Sequence, residues 1–235
     1  MHAVLHTFYS PHDFRVALPN VWAGFQVNLQ LMVVAEAFVL VLALALAVVR
    51  GLPGRGARPL RALAIVYTDV FRGTPLILVA FLVGFGVPAL NIHFVSSRSN
   101  FTYGVVALTL VYTAYVTEVY RAGIDSVHPS QRMAARSLGL TYLQAMRHVV
   151  LPQAVRRVIP PLLNDFIGLQ KDTALVVVIG VAEAAEQGQA YSQTYANFTS
   201  YVVAAVFFIL LTIPLARFTD HLILLRERRE RALAT

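Results

Sequence analysis

Residues 37–49 read Ala37-Phe38-Val39-Leu40-Val41-Leu42-Ala43-Leu44-Ala45-Leu46-Ala47-Val48-Val49, an unbroken apolar run closed by Arg50. A helix that faces water on one side needs polar residues at the 3.6-residue period, and this run offers no polar face. Extended back to residue 26 it is long enough for a bilayer core, which takes about 20 residues at 1.5 Å each. Four further stretches of that kind lie at 63–90, 101–119, 158–182 and 198–216, the last without any charge. Composition agrees: the chain is 57% hydrophobic and 13% charged, against about 25% charged for a soluble domain. The expected fold is an all-α integral membrane protein with about five transmembrane helices.

The arginines orient these spans. Arg50, Arg55, Arg58 and Arg61 lie between the first and second, and Arg121, Arg132, Arg136, Arg147, Arg156 and Arg157 between the third and fourth. Arg217, Arg226, Arg228, Arg229 and Arg231 come after the fifth, whereas the other side carries only Arg15 and Arg98. The positive-inside rule then places the N-terminus outside and the C-terminus in the cytoplasm. Residues 1–21 are expected to form an extracytoplasmic segment, 22–218 the transmembrane domain, and 219–235 a cytoplasmic basic tail. The first span carries its arginines on the far flank, the reverse of a signal peptide, and is read as a retained helix. Arg72-Gly73-Thr74-Pro75 predicts a kink in the second span, because Pro75 removes a backbone donor.

The connection 120–157 has its own helix signals. Pro129 and Ser130 open a short helix that Gly139 closes. Thr141 and Gln144 have capping-box spacing for a second helix, which Pro152 is expected to interrupt. Two short helices around a Gly139 elbow predict a compact cytoplasmic knob, of a kind that a partner protein reads.

Several function classes are excluded. The chain has no cysteine, so it has neither disulfides nor thiolate chemistry. Its single lysine, Lys171, precedes Asp172 and cannot belong to a P-loop, which requires Gly-Lys-Ser/Thr. No metalloprotease, serine-hydrolase or dinucleotide-binding signature occurs, so catalysis is not expected. His2, His6 and His12 are read as a solvated terminus rather than a metal site. The net charge of +7 is read as membrane orientation, with lipid and not nucleic acid as its counterpart.

Charges at membrane depth are the informative departures, because each costs a few kcal/mol to insert and usually faces a cavity or a partner. Arg72, Glu118, Lys171 and Asp172 are candidates, with Glu36 and Asp69 as further ones. Lys171 and Asp172 fall near the middle of the fourth span, where transport sites lie, and together supply both signs for a zwitterionic solute. The competing reading is a buried pair that pins helices together. Five spans are few to enclose a pathway, so a second copy or a paralogue is expected beside this chain.

Ala134-Ala135, three residues, Gly139, nine residues and then Val149-x-Leu151-Pro152 resembles the EAA loop of ABC-importer permeases. More specifically, the chain resembles the polar amino acid permeases of the histidine and glutamine type. The strings that carry the likeness are Phe71-Arg72-Gly73-Thr74-Pro75-Leu76, Ala114-Tyr115-Val116-Thr117-Glu118-Val119-Tyr120-Arg121, Leu151-Pro152-Gln153-Ala154, Pro161-Leu162-Leu163-Asn164-Asp165 and Lys171-Asp172-Thr173-Ala174-Leu175.

The resemblance implies a type I ABC importer in a bacterial plasma membrane, built from two permease chains, two ATPase subunits and an extracytoplasmic solute-binding protein. ATP would be bound by the ATPase partner, leaving this chain with no cofactor. The helix before the glycine would dock into a groove on that partner, through Gln131, Met133, Ala134, Ala135, Leu138 and Gly139. Arg72, Glu118, Asn164, Lys171 and Asp172 would line the substrate pathway. Three positions depart from the family pattern: Met133 replaces the motif's Glu, Ser130 the Gly before its Gln, and Val79 a Gln of the second span. An ATP-independent secondary transporter or channel is the alternative, and a membrane scaffold a third.

Overall fold

The structure, a computed structural model, describes residues 7–52, 54–92, 96 and 98–232. Every element longer than one turn is helical. Helix α1 runs Pro11–Gly51, starting about fifteen residues earlier than the apolar run requires. Its start is set by Ser10, whose hydroxyl accepts from the Asp13 amide, and by Pro11 in the first turn. Half of the expected N-terminal segment is therefore the first turns of the first spanning helix.

The second span is a corner rather than a kink. Helix α2, Arg58–Gly73, and α3, Leu76–Ala89, meet at 106°. Thr74 is extended, at φ −106° and ψ 126°, the conformation that a following proline imposes on its neighbour. Pro75 then begins α3, where its missing donor costs nothing.

Helix α4, Asn100–Asp125, is capped by Ser99 and sits at the centre, with 67% of its most apolar window buried. After it come α5, Pro129–Ser137, and α6, Tyr142–Ala145. The expected capping box forms reciprocally: the Gln144 amide donates to Thr141 Oγ1 at 3.2 Å and the Thr141 amide to Gln144 Oε1 at 2.8 Å. Pro152 does not break the chain of turns beyond α6, contrary to expectation. A π turn at Met146–Val150 widens the helix before it, with Leu151 N–H reaching the Met146 carbonyl, and α7 continues as Leu151–Asp172. The same device recurs in α3, where a π turn at Leu82–Gly86 precedes Pro88.

The fourth expected span is also divided. Beyond α7 the chain tightens into a 3-10 segment, Thr173–Ile179, ended by Gly180 at φ 74°. Helix α8, Ala184–Tyr195, and α9, Thr199–Ala232, complete the chain. Among the described residues α1, α4 and α9 are each long and apolar enough to cross a membrane, and the bent α2–α3 pair meets the same measure of length and composition when taken together.

The core lies between α1, α3, α4 and the 3-10 segment, where Leu31, Val39, Ala80, Leu108, Val116 and Val176 are buried. By contrast, α9 buries only 17% of its apolar window. Its exposed Ile209, Leu210 and Ile213 would be unstable in water and are at home in lipid.

Candidate functional site

Two polar centres and one protruding helix stand out. At the arginine-rich end, α2, α4 and α7 enclose an open cavity of about 470 Å³, whose walls include Arg72, Tyr115, Glu118, Arg157, Pro161 and Asp165. Arg72 reaches it because the α2–α3 corner ends α2 there. Its guanidinium lies 6.0 Å from the centroid of the Tyr115 ring, a cation–π contact. Tyr115 Oη donates to the Arg72 carbonyl at 3.4 Å. Among the described residues Arg72 makes no ion pair. Across the cavity, Asp165 Oδ2 is buried without a hydrogen-bond partner.

Glu118 is differently placed. It pairs with Arg50 of α1 and, at 3.0 Å, with Arg121 one turn along α4. Arg50 also donates to Thr68 Oγ1 at 3.0 Å. One carboxylate thus ties α1, α2 and α4 together, and its charge is spent on that task although it borders the cavity. The helix-pinning reading describes Glu118 well and Arg72 not at all.

Of the other expected pathway residues, Asn164 is exposed on α7 beside Asp165 but is not part of this cavity wall. Lys171 and Asp172 lie six and seven residues beyond Asp165, about 10 Å along the helix, and are not part of it either. Lys171 is exposed, and half-buried Asp172 accepts from Tyr112 Oη at 2.8 Å. They do not pair with each other. Glu36 is half-buried and Asp69 exposed.

The second polar centre is not among the sites expected from sequence. Glu183 is fully buried and caps α8, its carboxyl oxygens accepting from the Ala185 amide at 2.9 Å and the Glu186 amide at 2.8 Å. Asn28 of α1 donates to Glu183 Oε2 and to Thr173 Oγ1, both at 3.0 Å, and its Oδ1 accepts from the Ala184 amide at 3.0 Å. Gly24, one turn before, permits this approach: a Cβ there would lie 2.7 Å from the Glu183 carbonyl. The signal that points to it is Asn28 itself, an amide inside an apolar span.

The protruding helix is α5. His128 caps its start through the Ser130 amide. Its end is a Schellman turn, with Gly139 N–H to the Arg136 carbonyl at 3.0 Å and Leu140 N–H to the Ala135 carbonyl at 3.2 Å. Met133 and Leu138 are 60% and 83% exposed, and Gln131 and Ala134 are exposed with them. Ala135, contrary to expectation, is buried at 5% exposure within its own chain. Gly139 is set by its backbone and not by space. A Cβ there would meet nothing within 4 Å, so space is not limiting; the backbone at φ 89° is what favours glycine. The knob is rooted by Val127, Val150 and Ala154, and by Arg157, which donates to the Ser126 carbonyl.

Among the described residues no group of three metal-ligating side chains comes together. His2 and His6 lie outside the described residues, as do the side chains of Arg226, Arg228, Arg229 and Arg231.

Comparison with known proteins agrees with this anatomy. The chain is 40% identical over 194 residues to the probable glutamine ABC transporter permease protein GlnM of Bacillus subtilis, covering 82% of this chain and 87% of that one. It is 34% identical over 207 residues to the arginine transport system permease protein ArtQ of the same organism, covering 86% and 92%. In three dimensions it resembles a chain from the crystal structure of an amino acid ABC transporter with histidines, with TM-score 0.79, 34% identity, and coverage of 90% and 94%. A chain of the MetNI methionine ABC transporter, at 19% identity and TM-score 0.71, shares the fold. Residues 40–224 match the family model described as the binding-protein-dependent transport system inner membrane component, and the chain belongs to that family.

Proposed function

We propose that this chain is the permease subunit of an ATP-driven importer of polar amino acids, forming half of a translocation pore. The observation that carries the substrate class is the cavity, where Arg72 and Asp165 face a common space without ion-pair partners. A zwitterion supplies the two missing charges, its carboxylate for the guanidinium and its ammonium for the carboxylate. The named relatives for glutamine and arginine support that class.

A second permease chain, identical or paralogous, completes the pore. The exposed Met133 and Leu138 on α5 suit an apolar groove on an ATPase subunit, the thioether adapting where the family pattern has a charge. ATP is bound there, and this chain needs no cofactor and catalyses nothing. An extracytoplasmic solute-binding protein delivers the amino acid. The N-terminus lies outside and the C-terminus in the cytoplasm, which puts α5 on the side of the ATPase. Alternate closure of the ATPase pair moves the two α5 helices, and with them α7, so that the cavity opens to one side at a time.

The test is to tag the C-terminus, extract gently from native membranes and identify the chains that co-purify. A stoichiometric P-loop subunit is expected, with a second permease chain beside it if the pore is a heterodimer. Recovery of this chain only with itself, in repeated mild detergents, would overturn the importer reading.

A further inference from the structure

A second cavity, of about 420 Å³, lies in the crease between α1, α2 and α4. Its walls include Leu42 and Leu46 of α1 and Leu60 and Leu63 of α2, with buried Ala64 and Thr113 on the floor. On each wall helix the lining recurs at the i, i+3, i+4, i+7 period, so the crease extends about 10 Å along both. Tyr67, which also borders it, spends its hydroxyl on the Leu110 carbonyl at 2.7 Å. The crease therefore offers length and apolar contact and little polar recognition, which suits an acyl chain.

The loop that joins the two wall helices is strongly basic. From residue 37 to 68 the sequence has four arginines and no acidic residue. Arg50 is engaged with Glu118, and Arg61 folds the α1–α2 loop by donating to the Leu52 and Gly54 carbonyls at 2.6 and 3.0 Å. Arg55 and Arg58 are exposed and make no ion pair among the described residues. We propose that this crease is a binding site for an anionic phospholipid, with one acyl chain between α1 and α2 and the phosphate held by Arg55 and Arg58. The charge complementarity commits the site to an anionic headgroup, since basic pockets between membrane helices select such lipids and a zwitterionic headgroup gains little there. The bound lipid would brace the α1–α2 hairpin, whose other contacts leave Leu63 70% exposed.

Native mass spectrometry of the full chain tests this, after detergent exchange to remove lipid and titration with phosphatidylglycerol or phosphatidylcholine of matched acyl chains. Phosphatidylglycerol is expected to bind about 30-fold more tightly, from two arginines at the headgroup. Arg55→Gln with Arg58→Gln should bring the two lipids within about threefold of each other. Leu63→Trp, which fills the crease, should weaken both lipids alike, while Arg132→Gln with Arg136→Gln, on α5, should change neither. Equal binding of both lipids to the unsubstituted chain would overturn the proposal, as would a double substitution that leaves the preference intact. So would a lipid-free dimer that Leu63→Trp dissociates, which would make a second copy the occupant.

Discussion

The two polar centres of this molecule obey opposite rules. Around Glu183 every strong partner is present: Asn28, Thr173 and the α8 amides satisfy one another inside a site that excludes solvent. Around Arg72 and Asp165 the partners are missing, and the space between them is open. A complete network fixes one conformation, because any movement strands a buried donor. An incomplete one costs stability unless something else completes it, so it belongs where a solute enters. Glu118 stands between these cases, at the cavity yet already neutralised by Arg50 and Arg121.

Substitutions can break that contrast. The largest effect is expected from Glu183→Ala, which strands one side-chain N–H of Asn28 and two backbone N–H groups at a cost of about 3 kcal/mol or more. Thermal unfolding in detergent would read it, and an unchanged midpoint would mean that the network does not hold the fold. Next comes Arg72→Ala, which should lower amino acid uptake about 30-fold, the worth of one charge-assisted hydrogen bond, while leaving the unfolding midpoint in place. Uptake at the original level would remove Arg72 from the path.

Gly139→Leu should cost about 1–2 kcal/mol at the elbow through its left-handed backbone, and reduce recovery of the ATPase subunit in pull-downs. Because the space is open, Gly139→Asn should restore most of that recovery; failure of Asn and Leu alike would point to contact with the partner rather than backbone strain. The smallest change is expected from Glu118→Gln, about 1 kcal/mol of stability for a partly exposed pair, with uptake retained. Loss of uptake without loss of stability would move Glu118 from the brace to the path.

How much of the molecule is legible in its sequence depends on how local each cause is. Apolar length announces a spanning helix, Thr141 and Gln144 announce a cap, and Arg72-Gly73-Thr74-Pro75 announces a break, because each depends on neighbours within a few residues. The 106° of that break is not legible, since it depends on α3 finding the 3-10 segment to pack against, where Gly84 meets Ile179. Pro152 misleads for a related reason: a π turn absorbs a proline without ending the helix, and no residue type signals one. The cavity is half legible. Arg72 and Glu118 are in its wall as charges at depth, but Lys171 and Asp172 lie about 10 Å further along α7, and Tyr112 supplies a partner for Asp172 from α4. Ala135 reads as outward in the sequence because a nine-residue helix does not reveal which face its own chain covers.

The central claim, that the open centre serves a solute moved by ATP, is tested most directly in proteoliposomes. These would contain the complex purified through this chain, with its solute-binding protein and radiolabelled polar amino acids supplied on one side. Uptake is predicted to require ATP on the side of α5, to persist when ionophores collapse every ion gradient, and to fall in Arg72→Ala. Uptake that tracks an ion gradient without ATP would contradict the account.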